Sequence, residues 1–187
     1  MATPKELEAK IKKLRWPGLK KLWTAIKAGD TPGWEPGEAF EYLVLRAFEL
    51  EHTKDEPVSI RYPYDVNLFD EKVEEIDGAV HLPGLSILVE SKDWDGNVPI
   101  GPIAKMRNQL LRRPAGTVGV LFAQRGFTAS AVALAHFTLP QAILLWTGPE
   151  LELALSEETM YRYLRLKYRL CVENGIPDYD IREASIP

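Results

Sequence analysis

Cysteine and histidine are scarce in this sequence of 187 residues, which has one cysteine and three histidines. The single cysteine, Cys171, excludes an internal disulfide and any metal cluster built from cysteines, and it favours a reducing compartment. His52, His81 and His136 stand far apart, without the close spacing that a histidine metal site uses. A phosphate-binding glycine loop and a G-x-S-x-G nucleophile motif are also absent. Carboxylates and amines are therefore the groups left to carry chemistry.

Long hydrophobic runs are absent as well. No stretch approaches the roughly 20 apolar residues that a membrane span requires, and the first residues, MATPKELEAKIKK, are too charged for a signal peptide. We therefore expect a cytoplasmic protein with no membrane partner. With 45% hydrophobic and 27% charged residues, the composition is typical of a globular chain, and the length suits one domain with an appended element.

The net charge is −4, but positive charge is concentrated at the start of the chain. Residues 1–28 carry eight basic side chains against two acidic ones, a local charge of +6. Residues 6–14 and 19–28 have helical periodicity, and Trp16-Pro17-Gly18 is expected to break them apart. The Gly/Pro-rich connector GDTPGWEPG follows. The pattern predicts a basic helical hairpin with its connector over residues 1–36, a main domain over 37–175, and a tail without assigned structure over 176–187.

Hydrophobic periodicity in the main domain predicts an α/β fold. An antiparallel meander is followed by right-handed strand-helix-strand crossovers, which gives a mixed five-stranded sheet with helices on both faces. The predicted strands cover residues 58–66, 74–82, 86–92, 117–123 and 142–147. The predicted helices cover residues 38–51, 100–113, 128–137, 150–155 and 157–173, and Thr128 caps the third of these.

The stretch LSILVESKDWDG carries the clearest functional signal. Alternation along a strand places Glu90 and Lys92 on the same face. Asp77, in the segment EEIDGAV, lies in the preceding predicted strand, and a hairpin brings it beside them. Carboxylates that meet at a strand end stay ionised most readily when a cation joins them, and hard oxygen ligands suit Mg²⁺. Glu41, whose neighbours along its helix are apolar, points toward the same region.

This arrangement resembles the PD-(D/E)xK, or restriction-endonuclease-like, nuclease superfamily, whose D...ExK signature is similar to Asp77, twelve residues, then Glu90-Ser91-Lys92. The chain resembles Mrr-type restriction endonucleases more closely, over roughly residues 37–155. The segments that carry this resemblance are GEAFEYLV, IDGAV, VESK, VGVLFAQRGFTASAVALA and ILLWTGPEL, with Gln109 between them. Two features depart from the common pattern, because no proline precedes Asp77 and a serine separates Glu90 from Lys92.

The resemblance implies a restriction-endonuclease-like fold and Mg²⁺-dependent hydrolysis of phosphodiester bonds in DNA, with Mn²⁺ as a substitute. In that mechanism Asp77, Glu90 and the backbone carbonyl of Ser91 hold the metal. Lys92 orients or helps deprotonate the attacking water and balances charge on the phosphate, and Glu41 supports a second metal or orients a water. Restriction of foreign or modified DNA is the biological role that the resemblance offers.

Basic residues on two segments are candidate contacts for DNA phosphates. On the helix over residues 100–113, Lys105 and Arg112 share a face with Gln109, which the resemblance places in contact with the lysine or with the backbone near the site. The basic hairpin supplies a second set, for which a solvated face is the alternative interpretation: Lys12, Lys13 and Lys20.

Several alternatives remain open at this level. Glu90 and Lys92 can be explained as an exposed ion pair worth about 0–1 kcal/mol. Glu75 shares the face of Asp77 and is an alternative ligand, and Asp77 before Gly78 can be read as a turn residue. The alternative function is a catalytically inactive nuclease-like module that binds DNA or another protein. A homodimer would allow two sites to cut two strands.

Overall fold

The computed structural model describes residues 3–52 and 57–183. Within these ranges the chain forms seven α-helices, seven β-strands and one 3₁₀ helix, Ile181–Glu183. The helices are α1 Pro4–Lys12, α2 Trp16–Ala28, α3 Glu38–Leu50, α4 Ile100–Leu110, α5 Ala129–His136, α6 Gly148–Glu157 and α7 Met160–Asn174. The strands are β1 Ser59–Arg61, β2 Tyr64–Leu68, β3 Glu71–Ile76, β4 Gly78–Leu82, β5 Leu85–Lys92, β6 Thr117–Ala123 and β7 Ile143–Thr147. Across the described residues, each helix is too short or too polar to cross a membrane.

The predicted mixed five-stranded sheet is confirmed, with the strand order β1-β4-β5-β6-β7. Strand β4 pairs antiparallel with β1 and with β5. Strands β5, β6 and β7 run parallel to one another. Parallel neighbours need a crossover connection, and α4 and α5 supply the two that are required here. The sequences of β6 and β7 are continuous apolar runs because helices cover both faces of these strands.

The predicted strands over residues 58–66 and 74–82 are each divided in two. Tyr62-Pro63 separates β1 from β2, since proline has no N–H with which to continue a ladder. Strand β2 pairs with β3 to form a separate two-stranded antiparallel sheet. Asp77 then separates β3 from β4, which returns to the main sheet beside β5. Asp77 therefore lies at the junction of the two sheets and not inside a strand.

Helices cover both faces of the main sheet, as predicted. On one face, Val120, Phe122 and Trp146 pack with buried residues of α1, α2, α3, α6 and α7. On the other face, Leu121 and Leu145 pack with α4 and α5. Alternation along β6 and β7 sends successive side chains into these two layers. The carboxyl ends of β5, β6 and β7 are left between the layers, at one edge of the sheet.

The N-terminal hairpin differs from its prediction in two respects. Trp16-Pro17-Gly18 is expected from the sequence to separate the two helices, but it forms the first turn of α2. Proline is well accommodated at the start of a helix. The hairpin also packs into the same hydrophobic core as α3, where the rings of Trp23 and Phe40 stack with centroids 5.7 Å apart. The connector over residues 29–37 therefore does not separate two hydrophobic cores in the described part of the chain.

The tail, to which the sequence assigns no structure, contacts the main domain over residues 176–183 and includes the 3₁₀ helix. The backbone N–H of Leu145 on β7 donates to the carbonyl of Pro177 at 3.0 Å. Ile181 is buried, and its N–H donates to Glu150 Oε1 at 3.2 Å. The sequence of the tail, with two prolines and mixed charge, has no local pattern that predicts these contacts. The partners that hold the tail come from distant elements. Residues 184–187 lie outside the described residues.

Candidate active site

The register of β4 and β5 brings Asp77 beside Glu90. Gly78 pairs with Val89, so Asp77 lies one position before that pair and Glu90 one position after it. The backbone N–H of Ser91 donates to Asp77 Oδ2 at 2.8 Å, which anchors this carboxylate to β5. A Cβ at Gly78 would lie 2.5 Å from Leu45 Cδ2, so a glycine here allows α3 to approach β4 closely.

That close approach also brings Glu41 to the site, because Glu41 lies one turn before Leu45 on α3. Burial raises the pKa of Glu41 to about 8, and the negative charges of Asp77 and Glu90 act in the same direction. Lys92 opposes this shift. Three carboxylates from three separate segments therefore interact at the end of β5.

Glu90 is the most deeply buried of these carboxylates, at 1% exposure, and two lysines neutralise it. Lys92 Nζ lies 2.6 Å from Glu90 Oε1, 3.7 Å from Asp77 Oδ2 and 3.2 Å from the carbonyl oxygen of Ser91. Lys105 Nζ approaches from α4 and contacts both oxygens of Glu90, at 2.9 and 3.0 Å. The interpretation of Glu90 and Lys92 as an exposed ion pair is therefore wrong, because both side chains are largely buried.

Burial and charge act against each other in the pKa values of this cluster. Burial raises the pKa of Asp77 to about 6, helped by Glu90 and opposed by Lys92 and the Ser91 N–H. Burial alone would lower the pKa of Lys92, but the carboxylates of Asp77, Glu90 and Glu41 outweigh it and raise the pKa instead. Lys92 is therefore an ammonium ion at neutral pH in this arrangement.

Gln109 and Glu75 are the two remaining residues that the sequence places at or near the site. Gln109 is buried on α4, and its Nε2 donates to the backbone carbonyl of Glu75 at 3.3 Å, two residues before Asp77. Of the two contacts expected for Gln109, this one is to the backbone near the site. The side chain of Glu75 is 69% exposed and pairs with Lys72 at 3.0 Å. Glu75 is therefore excluded as a substitute for Asp77, because its side chain points away to solvent.

The five residues predicted to contact DNA are differently placed. Lys105 reaches the site. Arg112 and its neighbour Arg113 both pair with Glu74, a buried carboxylate on β3. In the hairpin, Lys12 pairs with Glu8 at 2.5 Å, Lys20 pairs with Glu158 at 2.9 Å, and Lys13 is exposed.

Sequence reasoning missed the contact between Lys105 and Glu90 and also the Glu74 cluster. A signal for the first existed, because Lys105 and Gln109 are four residues apart and so share a helix face. No comparable signal exists for Glu74, since its partners are 38 and 39 residues away in sequence.

The donor set can be compared with what a divalent cation requires. Mg²⁺ prefers carboxylate and carbonyl oxygens, which Asp77, Glu90, Glu41 and the Ser91 carbonyl provide. The hydroxyl of Ser91 is also buried without a hydrogen-bond partner in the described region. Over that same region, no group of three or more His, Cys, Asp or Glu side chains is arranged so that it could hold a metal ion. The donor chemistry fits the metal, and the two ammonium groups contact oxygens that the metal would use.

No protein-family model and no curated protein matches this sequence. Among solved structures, MspJI restriction endonuclease in complex with a 27-mer oligonucleotide is similar to this chain, with a TM-score of 0.43 and 16% sequence identity. The similarity covers 96% of this chain and 40% of that protein's chain, so this chain spans less than half of its length.

Proposed function

We propose that this protein is a metal-dependent endonuclease that hydrolyses phosphodiester bonds in DNA. One observation carries the proposal: Asp77, Glu90 and Lys92 converge at the end of β5, and Glu41 is close enough for Asp77 and Glu90 to add to the rise that burial causes in its pKa. Buried carboxylates held against an ammonium in this way are a common arrangement at functional sites. The proposal includes a PD-(D/E)xK site of the Mrr type, Mg²⁺ as the metal, a cytoplasmic location and a role in restriction.

In the proposed mechanism Asp77, Glu90, Glu41 and the Ser91 carbonyl would hold the cation. Bound there, it would supply Lewis-acid stabilisation of the negative charge on the phosphoryl oxygens and would lower the pKa of a water molecule bound to it. Lys92 is protonated, so it donates hydrogen bonds to the attacking water or to a phosphate oxygen. It can act as a base only after it loses its proton, which the surrounding carboxylates disfavour.

The assignment is tested by incubating supercoiled plasmid and linear duplex DNA with the protein in Mg²⁺ or Mn²⁺. We expect cleavage by the wild type and a loss on the order of 10²-fold or more in Lys92→Met, which keeps the length of the side chain and removes its charge. Lys72→Met is the matched control, because Lys72 is an exposed lysine that pairs with Asp65 and Glu75 away from the site. Equal rates for the wild type and Lys92→Met would refute the proposal.

A second candidate function is an inactive module that binds DNA or protein. The observation in its favour is that Glu90 is already neutralised by two lysines, a state that is stable without a metal. Calorimetric titration with Mn²⁺ separates the two functions. Heat of binding that disappears in Asp77→Asn and Glu90→Gln favours the nuclease, whereas the absence of any binding to the wild type favours the inactive module.

A further inference from the structure

Lys105 differs from the other basic residues near the site in what it contacts. Its Nζ lies 2.9 Å from Glu90 Oε1 and 3.0 Å from Glu90 Oε2, so it spans both oxygens of a carboxylate that is 1% exposed. Its own side chain is 45% exposed and reaches Glu90 from α4. Lys105 therefore connects an almost fully buried carboxylate with solvent.

The charges of the cluster explain why a cation is there. Glu90 and Asp77 are buried carboxylates, and a buried carboxylate is strongly destabilised unless a cation neutralises it. Lys92 contacts both of them, and Lys105 adds a second positive charge on Glu90. Two ammonium groups thus balance these two carboxylates, and little attraction remains for a divalent cation while both lysines stay in place.

The two lysines are not equally free to leave. Lys92 is 17% exposed and is held by Glu90, Asp77 and the Ser91 carbonyl together. In the described part of the chain, the hydrogen bonds of the Lys105 ammonium go to Glu90, and nearly half of its side chain is already in solvent. The four-carbon stem of a lysine lets the ammonium move several ångströms without any change in the helix that carries it.

We propose that Lys105 takes the place of the divalent cation on Glu90 in the metal-free protein, and that binding of the cation releases Lys105 to contact a phosphate of the DNA strand. This inference rests on the proposed nuclease function and adds a coupling between its two ligands. Metal binding creates a DNA contact, so DNA in turn strengthens metal binding by the same factor. In the metal-free protein, Lys105 neutralises the negative charge of Glu90 before DNA binds.

The first test is calorimetric titration of Mn²⁺ into the metal-free full chain without DNA. Lys105→Met removes the competing ammonium and keeps the apolar stem. We expect this variant to bind Mn²⁺ roughly tenfold more tightly than the wild type, a modest gain because solvent screens the charge of the half-exposed Lys105. Arg107→Met is the matched control, since Arg107 is an exposed cation on the same helix. Its Mn²⁺ affinity should match that of the wild type. Equal or weaker Mn²⁺ binding by Lys105→Met, and by Lys105→Gln as a second variant, overturns the proposal.

The second test follows DNA binding against salt concentration, with Ca²⁺ as a cation that accepts the same oxygen ligands. In Ca²⁺ the slope of log affinity against log salt should be shallower by about one in Lys105→Met, the change expected for one lost phosphate contact. In EDTA the slopes of the wild type and the variant should agree, because Lys105 is then on Glu90. A change of slope in both conditions, or in neither, contradicts the release of Lys105.

The outcomes separate this inference from the function on which it rests. Mn²⁺ binding that is lost in Glu90→Gln but unchanged in Lys105→Met leaves the metal site intact and refutes only the role of Lys105. Absence of Mn²⁺ binding in the wild type and in Lys105→Met refutes both.

Discussion

Glu90, Glu74 and Glu150 are buried carboxylates, and each is neutralised by at least one cation from another element of the fold. Glu74 is held by two arginines and Glu150 by one lysine, in clusters where the carboxylate is tied to partners that stabilise the fold. Glu90 is the member of this group whose partners are two lysines, one of them nearly half exposed. Lysine forms a less rigid pair than the arginine fork does. The arginine pairs set Glu74 apart from the candidate site, and the full burial of Lys167 sets Glu150 apart from it.

Glu41 supports a prediction about pH. Its pKa of about 8 in the folded protein lies above its ordinary value near 4.5, so the folded state holds a proton that the unfolded chain has already released. The free energy of unfolding therefore falls as the pH rises between those two values. In EDTA, Glu41→Gln should unfold at a higher temperature than the wild type at pH 9, by roughly 5 °C, and the gain should shrink toward pH 5.

Thermal unfolding followed by circular dichroism at pH 5, 7 and 9 checks this prediction. Glu71→Gln serves as the control, because Glu71 is an exposed glutamate on β3 and its removal should leave the pH dependence as in the wild type. A stability difference between Glu41→Gln and the wild type that is the same at all three pH values would contradict the assignment of the raised pKa to Glu41.

At the scale of elements, a buried ion pair joins β7, α6, α7 and the 3₁₀ helix. Lys167 on α7 is fully buried, and its Nζ lies 2.7 Å from Glu150 Oε1 and also donates to the carbonyl of Leu145. Glu150 Oε2 accepts from the N–H of Thr147 at 2.8 Å, and Oε1 accepts from the N–H of Ile181 at 3.2 Å. One carboxylate therefore caps α6 and holds the tail.

Removal of Lys167 should leave Glu150 as an uncompensated buried charge. We expect Lys167→Met to lower the free energy of unfolding by about 3–5 kcal/mol. The double variant Lys167→Met/Glu150→Gln should recover part of this loss, because the stranded charge is gone. Urea unfolding measures the free energy of unfolding of both variants.

Arg169→Met is the control on the same helix. Arg169 pairs with Glu173 at 3.8 Å, and both side chains are largely exposed, so this substitution should cost under about 1 kcal/mol. Equal costs for Lys167→Met and Arg169→Met would refute this view of the pair.

At the scale of the whole molecule, the N-terminal hairpin is part of the core. Leu7, Ile11, Leu19 and Ile26 are buried in the same cluster as residues of α3 and the sheet. A chain that lacks residues 1–36 would expose that surface to water, at a cost of roughly 25 cal/mol per Å² of apolar area. We expect the truncated chain to lose cooperative thermal unfolding or to aggregate, as judged by calorimetry and size-exclusion chromatography.

Two single substitutions make the same test without a truncation. Trp23→Ala removes the ring that stacks on Phe40 and should cost about 3–5 kcal/mol, whereas Trp94→Ala, at a ring that is 44% exposed, should cost far less. Cooperative unfolding of the truncated chain at the wild-type temperature would show that residues 37–187 fold without the hairpin.

The sequence by itself determined most of the elements and the central residues of the candidate site. Period-two alternation put Glu90 and Lys92 on one face, and a continuous apolar run predicted β6 with the bounds that are observed. Both signals are local, because they depend on how successive side chains leave one backbone segment. The predicted hairpin added Asp77, and the β4–β5 register sets it beside Glu90.

Only the tertiary structure decided which charged side chains reach the site. It turned Glu75 to solvent, tied Arg112 to Glu74 and placed Lys105 on Glu90. It also broke the predicted strand at Asp77 and merged the hairpin with the main core. These outcomes depend on groups that are distant in sequence and meet through packing and desolvation. A long charged side chain can point in several directions from one backbone position, and the neighbour that neutralises it is supplied by another element of the fold.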